Sequence, residues 1–390
     1  MKPCQKNKIL ILSGALGEGH AQAAKALYEA SGLYAPDAEA EVIDFMKWTH
    51  PYLAGFGAFC YLTWIKSFPS MYGYLFQKTR ADNPYSLFLK RMQLFNLEKL
   101  RKLLQQVNPT VVVHTFPSSA AAMSLLKAHG LSDLPSVTVI TDHTDHSYWI
   151  HEHTDHYLVS SEHVRQLLLR RSVPDRQITV TGIPVRDAFS RSHGRNELRD
   201  KYGIGRSEFV VLVMGGGLGM IDGDLADWLR SRELPADMRF LVICGRNGRL
   251  EQKLREKLAG GQANVTVAGF VEHIDELMAL SDLVLTKPGG LTTSEALAME
   301  LPMLLLRPLP GQEQDNAAYL VRQGVALEAG ESDSLRARLM TLYHNDQLLA
   351  SMKERARQCA KKQSARSALM KIREVEHKPV HRMAEVPLHA

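Results

Sequence analysis

The chain has 390 residues, 45% of them apolar and 23% charged, with a formal net charge of +5 at pH 7. That composition is of a soluble globular protein with room for two ordinary domains. The modest positive charge suits an anionic partner, a phosphate-bearing substrate or an anionic membrane surface, and does not call for nucleic acid. No apolar run reaches the roughly 18 residues of a membrane-spanning helix, and the one after Met1–Lys8 is too short for a signal peptide. Four dispersed cysteines (Cys4, Cys60, Cys244, Cys359) with no C-x-x-C pair exclude a disulfide scaffold and read as reduced thiols of a cytosolic protein.

Lys8–Ser13 is short, aliphatic and unalternating, which predicts a buried parallel strand. It runs into Gly14-Ala15-Leu16-Gly17-Glu18-Gly19-His20 and an alanine-rich helix from Ala21 to Ala30. The glycine spacing is G-x-x-G-x-G, not the dinucleotide G-x-G-x-x-G. His20, at a helix start, can act as a general base or donate to an oxyanion. A second strand follows at Ala40–Asp44. The next 36 residues, Phe45–Arg80, carry eleven of the chain's 28 Phe, Trp and Tyr, together with Lys47, Lys66, Lys78 and Arg80 and no acid. Amphipathic aromatics mixed with lysine favour a water–lipid boundary, so Trp48, Tyr52, Phe56, Trp64 and Phe68 are candidate membrane or acceptor contacts. An aromatic core insertion is the alternative.

Phe88–Val107 predicts one amphipathic helix, ended by Asn108-Pro109. Strands are predicted at Thr110–His114, Ser136–Asp142, His156–Ser160 and Gln177–Thr181, with helices between most of them. This is the alternation of a doubly wound parallel sheet, whose ligands bind at the carboxyl ends of the strands. Asp142 stands at such an end. Between it and the fifth strand, residues 143–156 hold five histidines and three acids. No H-E-x-x-H occurs, so a polar loop lining a cleft is the better reading than a metal site. After a polar linker the second half repeats the alternation: Glu208–Met214 into Gly215-Gly216-Gly217-Leu218-Gly219, Phe240–Gly245, Val265–Phe270, then Leu283-Val284-Leu285 into Lys287-Pro288-Gly289-Gly290 and a helix with Thr292 or Thr293 as N-cap. A glycine-floored strand-to-helix turn aims backbone N–H groups and a helix dipole at one spot, suited to a diphosphate, and Glu295 beside it suits ribose hydroxyls. Pro302–Leu306 and Pro310-Gly311-Gln312-Glu313-Gln314-Asp315-Asn316 follow. The basic stretch Lys353–Arg382 reads as helices with a solvated face.

Gly17-x-Gly19-His20, the Gly215–Gly219 loop, Lys287-Pro288-Gly289-Gly290 with Thr292 and Glu295, and Pro310-Gly311-Gln312-Glu313-x-x-Asn316 occur in that order. The chain thereby resembles glycosyltransferase family 28. With the aromatic segment and Thr141-Asp142…Trp149…Asp155-x-Tyr157, it looks most like the diacylglycerol branch, the plant monogalactosyldiacylglycerol synthases and bacterial processive diacylglycerol glucosyltransferases. The resemblance spans nearly the whole chain. Glu18, where glycine is common, and the histidine-dense loop depart from the pattern.

The resemblance implies an α/β GT-B fold of two Rossmann-like domains facing across a cleft: 1–190 for the acceptor and membrane, a linker at 191–206, 207–360 for the UDP-sugar, and a basic helical tail at 361–390. It implies transfer of a hexose, glucose or galactose, from a UDP-sugar to diacylglycerol with inversion, without metal or cofactor, at the inner face of the cell membrane. By position, Gly216, Gly217, Gly289 and Gly290 would hold the diphosphate and Glu295 the ribose, with Thr292 also in the donor site. Phe270 and Val271 would frame the uracil, and Gln312 and Glu313 would bind the sugar. His20 is the first candidate for the base and Asp142 the second. A transferase for another acceptor, a UDP-sugar 2-epimerase and a non-catalytic UDP-sugar sensor are the alternatives.

Overall fold

The computed structural model describes residues 7–14, 18–52, 63–64, 67–92, 97–215, 229, 234–258, 264–329 and 332–377. The aliphatic runs form two six-stranded, wholly parallel sheets. The first contains β1 (Asn7–Ser13), β2 (Ala38–Asp44), β3 (Val111–His114), β4 (Ser136–Val139), β5 (His156–Val159) and β6 (Ile178–Val180), in the order β2-β1-β3-β4-β5-β6. The second contains β7 (Phe209–Met214), β8 (Met238–Ile243), β9 (Val265–Ala268), β10 (Leu283–Thr286), β11 (Met303–Leu305) and β12 (Ala326–Glu328), in the order β12-β11-β10-β7-β8-β9. Strand order reverses between β1 and β3 in one sheet and between β7 and β10 in the other. A crevice opens at the carboxyl ends at each reversal, and these are the places where the glycine loops leave β1 and β10.

Both faces of each sheet are covered. Ile9 and Ile11 pack with Ala24, Leu27 and Val111 on one side of the first sheet, while Leu10 and Leu12 pack with Phe45, Leu103 and Met123 on the other. The basic tail is helical, with Arg366, Ser367 and Glu374 on an exposed face, and its other face is apolar and buried. Helix Ser364–Glu376 buries Ala365, Ala368, Leu369, Ile372 and Val375 against Ile9, Ile11 and Leu27 of the first domain. Its apolar residues recur at helical spacing, and fully burying each large side chain stabilises by about 1.5–3 kcal/mol. The chain thus crosses between the domains twice, and the crossings touch. Val185 N–H donates to Ser364 Oγ at 3.1 Å, and Gly182, at φ +83°, has no Cβ to collide with the Lys361 side chain.

The single helix expected over Phe88–Val107 is two, Pro84–Arg91 and Leu97–Val107; residues 93–96 lie outside the described residues. The first begins early because Asn83 and Ser86 form a reciprocal capping box ahead of Pro84 at its first turn. β4 stops at Val139, which leaves Asp142 in a loop beyond the strand. In the aromatic segment, Phe45 is core, Trp48, Tyr52 and Phe68 are exposed, Trp64 is half-buried, and Phe56 lies outside the described residues. Among the described residues no helix is long and apolar enough to cross a membrane.

Candidate active site

His20 lies in the first turn of helix Glu18–Tyr34, which starts as the chain leaves β1. Its Nδ1 shares a 2.9 Å hydrogen bond with Thr141 Oγ1, and its backbone carbonyl accepts from Thr115 Oγ1 at 3.1 Å. Phe116 and Trp149 meet the ring edge-on at 5.5 and 5.8 Å between centroids. Burial pushes the imidazole down to about 4, so it is neutral at physiological pH. With Nδ1 engaged, Nε2 is the nitrogen left to work on a ligand.

Asp142 follows Thr141 and faces the second domain. Its Oδ1 accepts from Asn316 Nδ2 at 2.9 Å. Asn316 is fully buried; its Nδ2 also donates to the Pro288 carbonyl at 3.0 Å, and its Oδ1 accepts from His143 N–H at 2.7 Å. One side chain thus ties the strand-end loop of the first domain to the turn before helix Gly290–Ala298. Burial raises the Asp142 carboxyl to about 7; the Asn316 hydrogen bond opposes this, and the charges of Glu313 and Asp315 add to it.

Helix Gly290–Ala298 is capped by Gly289, which is extended at φ −75° and ψ 135°, and not by Thr292 or Thr293, which lie inside the first turn. Thr293 instead bonds back to the Gly289 carbonyl at 2.8 Å. Gly289 provides no side-chain oxygen, so the first-turn N–H groups keep no side-chain cap and can meet an anion. Gly290 sits directly against Thr141. One turn on, Glu295 is 8% exposed, and no hydrogen-bond donor among the described residues reaches its carboxylate. Burial lifts that carboxyl to about 7 against the pull of Arg186.

The opposite wall is the start of helix Gln312–Gln323. Glu313 is buried and already engaged: Oε1 pairs with Lys287 Nζ at 2.9 Å and Oε2 accepts from Leu309 N–H at 3.0 Å. Gln312 Oε1 accepts from Tyr72 Oη at 2.7 Å. Asp315 faces Arg80, with both oxygens at 3.0 Å from the guanidinium. Arg80 also bonds Asp145, and Asp145 in turn bonds Arg171, each at 3.0 Å. At the outer edge Phe270 is 55% exposed, with the Arg246 guanidinium 5.2 Å from its ring centroid. Arg246 reaches across to Glu18 Oε1 at 3.4 Å. Val271 is half-buried against the second core, and Gly216 and Gly217 lie outside the described residues.

The structure therefore gathers His20, Asp142, Gly289, Gly290, Glu295, Gln312 and Glu313 around the two sheet crevices. Thr141, Lys287, Asn316 and Tyr72 join them, none of which carries a role in the sequence motifs. Asn316 stood in the motif with no role given to it, and Tyr72 was hidden among aromatics read for a membrane. The histidine loop is not one cluster. His143 shares a 2.9 Å bond with Ser160 and stacks on Tyr319 at 3.8 Å, His146 bonds the Phe76 carbonyl, His151 the Tyr148 carbonyl, and His156 Thr179. Among the described residues no three His, Cys, Asp or Glu side chains group as metal ligands do.

Residues 20–185 match the monogalactosyldiacylglycerol (MGDG) synthase family and residues 231–359 the glycosyl transferases group 1 family. A processive diacylglycerol beta-glucosyltransferase of Bacillus cereus (strain B4264) is 32% identical over 353 residues, covering 89% of this chain and 88% of that protein. Among solved structures, Staphylococcus aureus MnaA with UDP superposes with a TM-score of 0.62 at 16% identity, covering 94% of this chain and 96% of that one. Acinetobacter baumannii MurG superposes at 0.59 and 16% identity, covering 95% and 99%. The structures share the two-domain GT-B fold, and by its extended identity the chain belongs to the diacylglycerol glycosyltransferases of glycosyltransferase family 28, enzymes that draw on a UDP-sugar.

Proposed function

We propose that this protein transfers a hexose, glucose or galactose, from its UDP-sugar to diacylglycerol at a membrane surface, with inversion and without metal. The observation that carries the reading is the meeting, in one cleft, of a neutral His20 from the first domain with the uncapped start of helix Gly290–Ala298 and the Gln312–Asn316 segment from the second. The acceptor hydroxyl attacks the anomeric carbon from the face opposite UDP; its O–H bond breaks, the new C–O bond forms, and the C–O bond to the diphosphate breaks. His20 Nε2 takes the proton, and a single displacement of this kind inverts the centre. Base catalysis of this type contributes about 10²–10⁴-fold.

The departing diphosphate gains charge, and first-turn N–H groups at Gly290–Thr292 are aimed to stabilise it. Its negative charge also raises both nearby pKa values. It moves His20 from about 4 toward neutrality and holds Asp142, already near 7, in the acid form. That favours His20 as the base and Asp142 as a hydrogen-bond donor. Glu295 takes the ribose, Phe270 and Val271 the uracil, and Gln312 and Glu313 the sugar, and no cofactor is needed beyond the UDP-sugar.

Membrane contact is assigned to the outer side of helices Pro69–Lys78 and Pro84–Arg91. There Phe68, Met71, Tyr74, Tyr85 and Phe88 are exposed, with Lys78 within 6 Å of the Tyr74 and Tyr85 rings. Amphipathic rings with a lysine suit a peripheral site on the anionic inner face of the cell membrane. The test is product analysis with purified protein, diacylglycerol vesicles, and UDP-glucose or UDP-galactose in separate reactions, with and without a chelator. A glycolipid formed equally with chelator supports the proposal. UDP release without glycolipid moves the acceptor elsewhere, and no turnover of either UDP-sugar overturns it.

A further inference from the structure

We propose that Tyr72 is a positioning residue for the donor sugar: from the first domain it fixes the amide of Gln312 and so sets which hydroxyl pattern the site accepts. The proposal rests on the assignment of Gln312 to the sugar made above. Helix Pro69–Lys78 presents one stripe to the second domain. Tyr72, Phe76 and then Arg80 just past its end, one turn apart, face Gln312, Gly311 and Asp315. The Tyr72 hydroxyl donates to Gln312 Oε1 at 2.7 Å. Trp64 holds the tyrosine ring edge-on, 5.6 Å between centroids at 89°.

The approach is built by glycine on both sides. A Cβ on Gly311, which sits at φ +103°, would lie 2.8 Å from Tyr72 Cε1 and one on Gly73 2.5 Å from Pro310 Cβ. Neither position admits another residue without pushing the hydroxyl away from the amide. A glutamine amide has one accepting oxygen and one donating nitrogen. With the oxygen turned to Tyr72, one of its two lone pairs is taken and the amide orientation is fixed, so the NH2 group is the side that remains for the cleft. Released, it can turn over about its last torsion and offer an acceptor in the same place. Sugars that differ in the configuration of one hydroxyl are told apart by such matched atoms.

The experiment is initial-rate kinetics of the full chain on diacylglycerol vesicles with UDP-glucose and with UDP-galactose, for wild type, Tyr72→Phe, Gln312→Ala and the double variant. Tyr72→Phe is expected to raise KM for the preferred UDP-sugar about 3- to 10-fold, the loss of one hydrogen bond. It should also narrow the kcat/KM ratio between the two sugars, leave inhibition by UDP unchanged, and add nothing in the Gln312→Ala background. Wild-type KM and sugar ratio in Tyr72→Phe overturn the proposal, as does UDP inhibition that weakens in step with KM, which would mean that the tyrosine supports the domain and not the sugar. If Gln312→Ala shifts the sugar ratio and Tyr72→Phe does not, only the role of Tyr72 fails. If Gln312→Ala itself leaves KM and ratio unchanged, the assignment of Gln312 fails first.

Discussion

Gly290 and Thr141 meet backbone to backbone across the cleft. A Cβ on Gly290 would fall far inside van der Waals contact with the Thr141 carbonyl oxygen and 3.1 Å from Asp142 Oδ1. Neither carbonyl nor helix start can yield without parting the domains. Gly290→Ala is therefore expected to hold His20 and the donor apart and lower kcat about 10²-fold, the usual effect of a misplacement near 1 Å. Each domain core, and with it the thermal midpoint, should be left nearly intact. A variant with wild-type kcat would show that the two elements need not touch in the reactive state.

The pH profile separates the two candidate bases. Only unprotonated imidazole can accept the acceptor's proton, so activity rises with pH through the His20 pKa. Because kcat/KM reports the free enzyme, where His20 stands at about 4 and Asp142 at about 7, kcat/KM should stay level between about pH 5 and 7, fall below that as His20 gains a proton, and decline above it as Asp142 loses its own. The acid limb of kcat should sit higher, since the bound diphosphate favours the imidazolium. An acid limb of kcat/KM near 7 that vanishes in Asp142→Asn would transfer the role to Asp142.

Glu295 is buried at a cost in stability. Its carboxyl is raised from 4.5 to about 7 in the folded chain. Between those values the folded state therefore holds the extra proton, and stability falls as pH rises through that window. Glu295→Gln should remove this slope. At pH 8 it should unfold later than wild type, by at most about 3 kcal/mol, and at pH 4 no differently, while its KM for the UDP-sugar rises. Equal midpoints for both proteins at pH 8 would refute the buried, unpaired carboxylate.

Arg80 neutralises two carboxylates from different domains, Asp145 and Asp315. Arg80→Met leaves both facing each other, at a cost of about 1.5–3 kcal/mol for the lost charged hydrogen bonds. Thermal unfolding should start several degrees earlier, with part of the loss recovered by adding Asp315→Asn. No recovery in the double variant would mean that the arginine acts through packing.

Sedimentation with anionic vesicles checks the membrane face. Replacing Tyr74 and Phe88, both more than half exposed, by Glu should cut the bound fraction severely, since each buried aromatic is worth about 1.5–3 kcal/mol. Equal partitioning with wild type would remove this surface from the proposal.

Much of the fold was legible because parallel strands buried on both faces read as unbroken aliphatic runs, such as Ile9–Leu12 and Val210–Val213, and each ends in a glycine loop at a crevice. What was not legible depends on distance along the chain. Asn316 and Asp142 are 174 residues apart, and no local pattern announces that an amide will meet that carboxylate. Tyr72 sat in an aromatic run whose composition signals amphipathicity but cannot say which stripe turns toward the other domain. The tail shows the same limit, since its basic residues are plain in the sequence while the partner of its apolar stripe lies some 350 positions upstream, at Ile9 and Ile11.

That tail also governs the order in which the molecule can be made. Ala365, Leu369, Ile372 and Val375 cover one face of the first sheet, so the half synthesised first stays unfinished on the ribosome until residues 364–376 have emerged, after the whole second sheet. The nascent first domain carries bare aliphatic surface through all that time, the condition in which chains become dependent on chaperones.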